Sequence, residues 1–510
     1  MRSSVHNVGG WLARRAASTG ERVAVVDDDR SLTYAQLEDR CRRAAAWLRE
    51  AGVGSGDRIA LLLANRSAYL ELVFAAARLG AIVVPVNARL AAPEVRELLD
   101  DCTPRVLVHE AELEAVAAAA CAEARRPPET RLPVGGIVDA WEAALAGAKP
   151  DPRVEAVSPE DPMILMYTSG TTGAPKGALL PHRKTLFNSL NAQLFFELTG
   201  RDRVLVVVPL FHSFGLKILS IPALYAGATL VLQRHFDPEA VWRCVGEHAV
   251  TYLGGVPTMF RALDATLEAH PDRFDLQSLR FLFTAGAPIP VDLIRSFEAR
   301  GLVLKQGFGQ TETSILCCLD AQDAVRKAGS VGRPVFHADV RIVRTDGLEG
   351  PPATWQETEP GETGEIVVRG PITMLGYWQR PEASAEILHD GWLRTGDLAS
   401  RDEEGFFTLT GRARDMFISG GENVYPAQVE AVYREHPWVE DIAVVGVPDE
   451  RWGEVGRAWV VPAEGARVDP EVLRTWGRTR LALFKIPHTF LPTDHLPRTA
   501  TGKIQRHLLR

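Results

Sequence analysis

Lysine is scarce in this chain. Of the 57 lysines and arginines among 510 residues, eight are lysine: Lys149, Lys176, Lys184, Lys217, Lys305, Lys327, Lys485 and Lys503. An ammonium is a compact charge on a flexible stem, whereas a guanidinium is a rigid fork. Against such a background, each lysine marks a place where a point charge is wanted. Long apolar runs are missing too, which excludes a helix that spans a bilayer. The six cysteines, Cys41, Cys102, Cys121, Cys244, Cys317 and Cys318, form no CxxC and no metal-ligand spacing. That excludes a zinc ribbon or disulfide framework and predicts reduced thiols in a cytoplasmic protein. There is no excess of positive charge: the formal net charge is −8 with both signs interspersed, which argues against nucleic acid as the partner. The opening stretch MRSSVHNVGGWLARRAAS lacks the apolar core of a signal peptide and reads as a first amphipathic helix.

What is present is a soluble globular composition, 46% apolar and 24% charged, in a chain too long for one core. Short apolar runs alternate with helical patterns from residue 22 to about 110. RVAVVDD and RIALLLA read as strands; LTYAQLEDRCRRAAAWLREAG and AYLELVFAAARLGA read as helices. Residues 111–160, rich in Ala, Pro and Glu, read as a helix plus an exposed connection. Alternation then resumes with RVLVVVPL, ATLVLQ, TYLGGVP, LRFLFTAG and VLKQGFG. This order predicts an α/β fold of parallel and mixed sheets covered by helices. From about 338 to 410, DVRIV, GEIVVRG, GWLRTGDLA and GFFTLTG predict a small β-rich subdomain. A compact α+β tail follows, with a domain boundary placed within Arg412–Asp415, giving domains 1–411 and 412–510.

Tyr167 to Gly177 reads YTSGTTGAPKG, with five hydroxyl-bearing residues, three glycines and one lysine. Glycine lets main-chain N–H groups turn into one concavity, hydroxyls add donors, and a lysine supplies a mobile positive charge. Such a loop suits a polyphosphate. It is not the common nucleotide loop, because Gly177 and not Ser or Thr follows Lys176. The apolar run MILMYT before it reads as a buried strand feeding the loop.

Further short stretches stand out: PLFHSFG at 209–215, TAGAP at 284–288, QGFGQTE at 306–312, WLRTGDL at 392–398, GRARD at 411–415 and PRTATGK at 497–503. Singly, each has a plain structural explanation: a first-turn acid for Glu312, a turn residue for Asp397, a core histidine for His212, an exposed lysine for Lys503. Together and in this order they resemble the adenylate-forming superfamily, in its acyl-CoA synthetase branch of fatty-acyl and aryl-CoA ligases. RKAGSVGRP, GEIVVRGP, FISGGENVYPAQVE and VPDERWGE fit the same branch, and the likeness runs over essentially the whole chain.

The resemblance implies a large N-terminal domain and a small C-terminal lid joined at GRARD. It also implies ATP-dependent, Mg²⁺-dependent conversion of a carboxylic acid to acyl-AMP, followed by transfer to coenzyme A. By that likeness Thr168, Ser169, Gly170, Thr171, Thr172 and Lys176 hold the β- and γ-phosphates. Thr311 contacts the α-phosphate and Glu312 the metal ion. Ala287, Pro288 and Phe308 flank adenine; Asp397 and Arg412 take the ribose. Lys503 reaches the α-phosphate and substrate carboxylate, and His212 sits at the acyl pocket. Ser419, Gly420 and Gly421 line the pantetheine tunnel, with Trp452 and Phe484 near the CoA nucleotide and Arg89 on a phosphate. A transition state gathering charge on phosphates needs preorganised donors, a cation and a lysine, which is why these residue types recur together.

The chain departs from the family at Arg414, where relatives mostly carry Asp or Lys, at Phe308, which replaces a tyrosine, and at Ile486 and His488, where an aryl relative has cations. An amine or a carrier protein in place of CoA is the alternative acceptor. The expected pocket wall, His212 to Leu216, Val256 to Thr258, Thr284 to Gly286 and Ile315 to Cys318, is mainly apolar and suits a fatty or aromatic monocarboxylic acid. The protein is expected to be a monomer or homodimer. Lys217, in FHSFGLKILSIPAL, has two readings: its ammonium snorkels to solvent, or it reaches the acyl cavity to meet a polar substrate group.

Overall fold

A computed structural model describes the chain except for residues 1, 29, 169–174, 287–288, 420–421, 482, 499–501 and 503. Its contacts divide into two units, Met1–Val340 with Val368–Leu393 and Arg341–Val367 with Arg394–Arg510.

The first unit contains two sheets. One orders Arg333–Pro334, Ser314–Leu319, Leu304–Gln310, Phe281–Thr284, Tyr252–Gly255, Arg203–Val206, Thr229–Leu232, Val23–Asp27 and Arg30–Thr33. The strands from Leu304–Gln310 to Val23–Asp27 are parallel, and antiparallel strands finish both ends. The other orders Gly376–Tyr377, Lys176–Pro181, Pro162–Thr168, Ile82–Pro85, Arg58–Leu62, Val106–Glu110 and Thr130–Val134. Strands such as TLVL, YLGG, FLFT and IVVP are buried along their whole length, as parallel strands covered on both faces must be.

Alternation along these strands decides what each face meets. Leu253, Leu282 and Leu304 pack in one core with Trp242, Phe260 and Phe297 of helices Pro238–Glu247, Pro257–Ala269 and Val291–Ala299. On the other face, Phe281 and Phe283 meet Phe196 of helix His182–Phe196. Lys305 lies there too, its ammonium 4.8 Å and 4.7 Å from the ring centroids of Phe195 and Phe281 and 3.0 Å from Asp320.

In the second unit, strand Gly453–Pro462 pairs with Val439–Asp449, Phe417–Ser419 and Thr489–Pro492. Helices Pro426–Arg434 and Pro470–Arg478 supply Val429, Tyr433 and Leu473 to its core. Strands Trp392–Arg401 and Phe407–Arg412 pair antiparallel.

One expectation changes. Residues 111–160 are more than a helix and a connection: after helix Glu114–Glu123, strand Thr130–Val134 extends the second sheet parallel to Val106–Glu110, and helix Ala140–Gly147 follows. TRLPV hides its strand character because an edge strand is covered on one side only and tolerates Arg and Pro. In the second unit, the stretch FISGGENV contains the short paired strands Phe417–Ser419 and Glu422–Val424.

Candidate active site

In the first unit the singled-out motifs follow the carboxyl ends of parallel strands. Thr168 ends Pro162–Thr168; Arg89 comes after Ile82–Pro85; His212 follows Arg203–Val206; Thr284 closes Phe281–Thr284; Thr311 and Glu312 leave Leu304–Gln310. In open α/β sheets that is where ligands bind.

YTSGTTGAPKG is the tip of a hairpin. Strands Pro162–Thr168 and Lys176–Pro181 are antiparallel with Thr168 opposite Lys176, and the Thr168 hydroxyl donates to the Lys176 carbonyl at 3.3 Å. Ser169, Gly170, Thr171 and Thr172 lie outside the described residues. The Lys176 ammonium stands 5.4 Å from the ring centroid of Tyr377, within cation–π range.

Thr311 and Glu312, both half-buried, occupy the turn between strands Leu304–Gln310 and Ser314–Leu319. Glu312 is therefore no first-turn acid of a helix. The hairpin closes tightly because Gly309 has no side chain: a Cβ there would lie 1.9 Å from the Ser314 carbonyl oxygen. Ser314 itself takes φ of 64°, a left-handed conformation that a non-glycine residue adopts at a cost. Phe308, half-buried, pairs with Cys317 in the same hairpin.

A segment distant in sequence holds this turn. Met374 N–H donates to the Glu312 carbonyl at 2.8 Å, and the Tyr377 hydroxyl donates to Glu312 Oε1 at 3.0 Å. That segment is clamped in turn by two successive bases at the start of helix His182–Phe196. Arg183 donates to the carbonyls of Pro371 and Thr373, both at 2.8 Å, and Lys184 to the Ile372 carbonyl at 2.5 Å and Ser314 Oγ at 2.7 Å. Lys184 is fully buried; burial pushes its ammonium well below its usual range, Lys217 adds to this, and Glu312 opposes it. Among the described residues there is no cluster of three or more His, Cys, Asp or Glu able to hold a metal. A lone, anchored carboxylate fits Mg²⁺, which keeps waters and binds through one or two carboxylates plus substrate phosphates.

His212 is half-buried, with its ring 4.5 Å from that of Phe211. The chain after it winds into a π-helix, Phe214–Ser220, in which Ser220 Oγ donates to the Gly215 carbonyl at 2.7 Å. Gly215 permits this path, since a Cβ would lie 2.4 Å from the Pro209 carbonyl oxygen. Lys217 does not snorkel: it is 1% exposed, and its ammonium has no hydrogen-bond partner among the described residues. Gly255, Thr284 and Gln306 stand level across three parallel strands. Ala287 and Pro288 lie outside the described residues. Arg89 is exposed, its N–H donating to Asn87 Oδ1 at 2.9 Å.

In the second unit Asp397 is 4% exposed and faces Arg412 across the hairpin, with Arg412 Nε 2.8 Å from its Oδ1. Gly396, at φ of 68°, precedes it within strand Trp392–Arg401, and Glu365 fixes this stretch by accepting from the Gly396 N–H at 3.1 Å and pairing with Arg394 at 2.9 Å. Arg412 carries a turn in which its carbonyl accepts from the N–H groups of Asp415 and Met416. Arg414 is half-exposed. Ser419 is buried opposite Gly453. Trp452 is 41% exposed, with the Arg451 guanidinium 4.7 Å from its ring centroid. Phe484 packs against the unit's core; Ile486 is buried and His488 exposed. Gly420, Gly421 and Lys503 lie outside the described residues.

Within the first unit, then, Lys176 and Glu312 are joined through Tyr377. Within the second, Asp397 and Arg412 form an ion pair. Tyr377 and Arg183 were not picked out from sequence, and Lys184 only as one of the eight lysines. The signals were the aromatic pair in GYWQRP for Tyr377 and the rarity of lysine for Lys184; Arg183, one arginine among many, carried none.

The model of the AMP-binding enzyme family matches residues 12–378, and that of the AMP-binding enzyme C-terminal domain matches residues 428–503. A feruloyl-CoA synthase of Amycolatopsis sp. is 45% identical over 99% of this chain and 98% of its own. A long-chain-fatty-acid–CoA ligase of Mycobacterium tuberculosis is 37% identical over 98% of this chain and 97% of its own. Among solved structures, o-succinylbenzoate CoA synthetase from Bacillus subtilis, in complex with its acyl-adenylate intermediate, superposes with a TM-score of 0.86 at 34% identity, covering 98% of both chains. The chain belongs to the AMP-binding enzyme family, the adenylate-forming enzymes.

Proposed function

We propose that this protein activates a fatty or aromatic monocarboxylic acid, and that Lys176, Glu312, Asp397 and Lys503 carry the chemistry. The chain is an AMP-forming acid–CoA ligase that uses ATP, Mg²⁺ and coenzyme A. The observation supporting the roles of Lys176 and Glu312 is the Lys176–Tyr377–Glu312 chain of contacts, which puts the loop lysine and the acid carboxylate on one aromatic residue.

A carboxylate is a poor electrophile. Its oxygen attacks the α-phosphorus of ATP, the bond to the bridging oxygen breaks, and pyrophosphate leaves with that electron pair. Thr168, the 169–172 stretch and Lys176 take the charge gathering on the departing phosphates, and Thr311 donates to the α-phosphate. Glu312 would hold Mg²⁺, which would supply electrostatic stabilisation of phosphate oxygens. Ala287, Pro288 and Phe308 flank the adenine. Asp397 accepts from the ribose hydroxyls, its second role being the ion pair that keeps Arg412 in place. Lys503 neutralises the α-phosphate and carboxylate while the mixed anhydride forms, and His212 borders the acid. In the second step the CoA sulfur attacks the acyl carbon and AMP leaves. Ser419, Gly420, Gly421, Trp452, Phe484 and Arg89 serve the thiol substrate.

The division of labour follows domains 1–411 and 412–510, with Arg412–Asp415 as the hinge. The six free cysteines accord with a cytoplasmic site of action, and no described helix is long and apolar enough to cross a membrane. The test is a pyrophosphate-release screen over fatty and aromatic acids, run with and without CoA. Thioester appearing with release supports the reading. Release with transfer to an amine or a carrier protein but never to CoA would contradict it.

A further inference from the structure

Two buried asparagines hold the chain on either side of His212. Asn65, 3% exposed, lies between strand Arg58–Leu62 and helix Ser67–Arg78. Its Oδ1 accepts from the Leu210 N–H at 2.8 Å. Its Nδ2 donates to the carbonyls of Val208 and Gln233, both at 3.1 Å, and lies 3.4 Å from that of Val206. Val206 closes strand Arg203–Val206, and Gln233 comes straight after Thr229–Leu232. One amide from the second sheet therefore ties together two strand ends of the first, at their carboxyl ends.

Asn188, 1% exposed, stands on helix His182–Phe196. Its Nδ2 donates to the Lys217 carbonyl at 2.6 Å, and its Oδ1 accepts from the Ile315 N–H at 3.4 Å. Ile315 pairs with Gly309 near the carboxyl end of strand Leu304–Gln310, beside the Thr311–Glu312 turn. The sequence explains why Lys217 needs a side-chain donor. In a π-helix each carbonyl accepts from the N–H five residues on, and here the Ile221 N–H donates to the Leu216 carbonyl. The next N–H in that series belongs to position 222, which is Pro222 and has none. A buried carbonyl without a donor is costly, and Asn188 supplies the missing N–H.

His212 hangs between the two ties and is bonded to a neighbour of each. Its N–H donates to the carbonyl of Pro209, adjacent to Leu210, at 3.1 Å. Its carbonyl accepts from the N–H of Leu216, adjacent to Lys217, also at 3.1 Å.

We propose that Asn65 and Asn188 are positioning residues for the substrate acid: they fix segment 209–217 at both ends and so set where the His212 ring stands, and this rests on the acid–CoA ligase reading, with His212 bordering the acid, and deepens it. Groups that touch a substrate hold their geometry only as firmly as the residues behind them do. Neither asparagine faces the nucleotide-binding motifs directly, so their loss falls on the acid and spares Mg·ATP.

The experiment measures separate KM values for the acid and for Mg·ATP by ATP–pyrophosphate exchange, with cinnamate and octanoate as the acids. The proteins are the wild type, Asn65→Leu, Asn188→Leu, Pro222→Ala and the double variant Asn188→Leu with Pro222→Ala. Each leucine variant is expected to raise the KM for the better acid roughly tenfold, with the KM for Mg·ATP kept within about twofold. Pro222→Ala alone changes neither, because the Lys217 carbonyl already has a donor. Added to Asn188→Leu, it restores a main-chain N–H for that carbonyl and brings the KM for the acid back to within about threefold of the wild type. Where leucine prevents folding, Asn65→Ser and Asn188→Ser take its place and are read in the same way. A lower unfolding midpoint with both KM values unchanged would make the two amides packing residues and overturn the proposal. Equal rises for acid and Mg·ATP, or a double variant no better than Asn188→Leu, would overturn it as well. No acid-dependent exchange by the wild type with either acid would bring down the ligase reading itself.

Discussion

Tyr377 and Glu312, 65 residues apart, are joined by a hydrogen bond of 3.0 Å from the phenol to Oε1. The same ring lies under the Lys176 ammonium, so a residue of one sheet's edge strand orders a carboxylate on the other sheet's hairpin. Phenylalanine keeps the ring and removes the donor. Tyr377→Phe is expected to raise the KM for Mg·ATP by roughly tenfold, the worth of a hydrogen bond to a charged group, with kcat and the unfolding midpoint changed little. Mn²⁺ binding by the nucleotide-bound protein, followed by electron paramagnetic resonance, should weaken in parallel. An unchanged KM and unchanged Mn²⁺ affinity would remove Tyr377 from any positioning role.

Lys184 and Lys217 should respond to methionine with opposite signs. Lys184→Met leaves Ser314 Oγ and the Ile372 carbonyl unpaired in the interior and is expected to destabilise by about 2–3 kcal/mol. Lys217→Met replaces an ammonium that has no partner among the described residues with an apolar side chain of similar length and is expected to raise the thermal midpoint at pH 7 by a few degrees. Differential scanning calorimetry of the two variants decides it; a lower midpoint for Lys217→Met would mean that the wild-type ammonium is paired.

Stability should also depend on pH through Lys217. Burial, with repulsion from Arg183 second, brings its pKa down to about 7. The folded value lies below the unfolded one, so between about pH 7 and pH 10 the unfolded chain binds the extra proton. The contribution is fully present above the unfolded value and is lost as pH falls through the window, levelling off below about 7. Of the neighbouring basic groups, Arg183 stays charged, Lys184 is also depressed, and burial brings His182 down to about 4, outside the window. The wild-type unfolding midpoint should therefore rise more steeply from pH 7 to pH 9 than that of Lys217→Met. Equal slopes would contradict an uncompensated charge at this position.

Much of the fold was legible because parallel strands are short, apolar and separated by helical patterns: TLVL and FLFT cannot be read otherwise in this alternation. Thr130–Val134 escaped because one-sided cover lets an edge strand carry Arg131 and Pro133. The π-helix escaped because FGLKILS carries no residue pattern that separates it from an α-helix; Gly215, where a Cβ would lie 2.4 Å from the Pro209 carbonyl oxygen, permits its path. The sequence motifs marked the ends of the right strands, since glycines and hydroxyls cluster there visibly. The support beneath them was hidden for a physical reason. Arg183, Lys184 and Tyr377 act across 65 to 190 residues of chain, and a contact at that separation leaves no local pattern.

Arg414 lies in the turn that follows Arg412. Arg414→Pro fixes φ at one hinge position and is expected to spare acyl-adenylate formation while slowing thioester formation about tenfold or more, the mark of a blocked domain movement. Rapid-quench timing of the two half-reactions separates these steps. Equal loss in both would mean ordinary destabilisation and no hinge.

The central claim is that acyl-AMP forms first, with Lys503 needed only while charge develops on the phosphates. ATP–pyrophosphate exchange, measured with the acid present and CoA absent, tests it most directly when run beside thioester formation from supplied acyl-AMP. The wild type should perform both. Lys503→Ala should lose the exchange by several orders of magnitude and keep most of the thioester step. Exchange at the wild-type rate in Lys503→Ala, or no acid-dependent exchange in the wild type without CoA, would contradict the account.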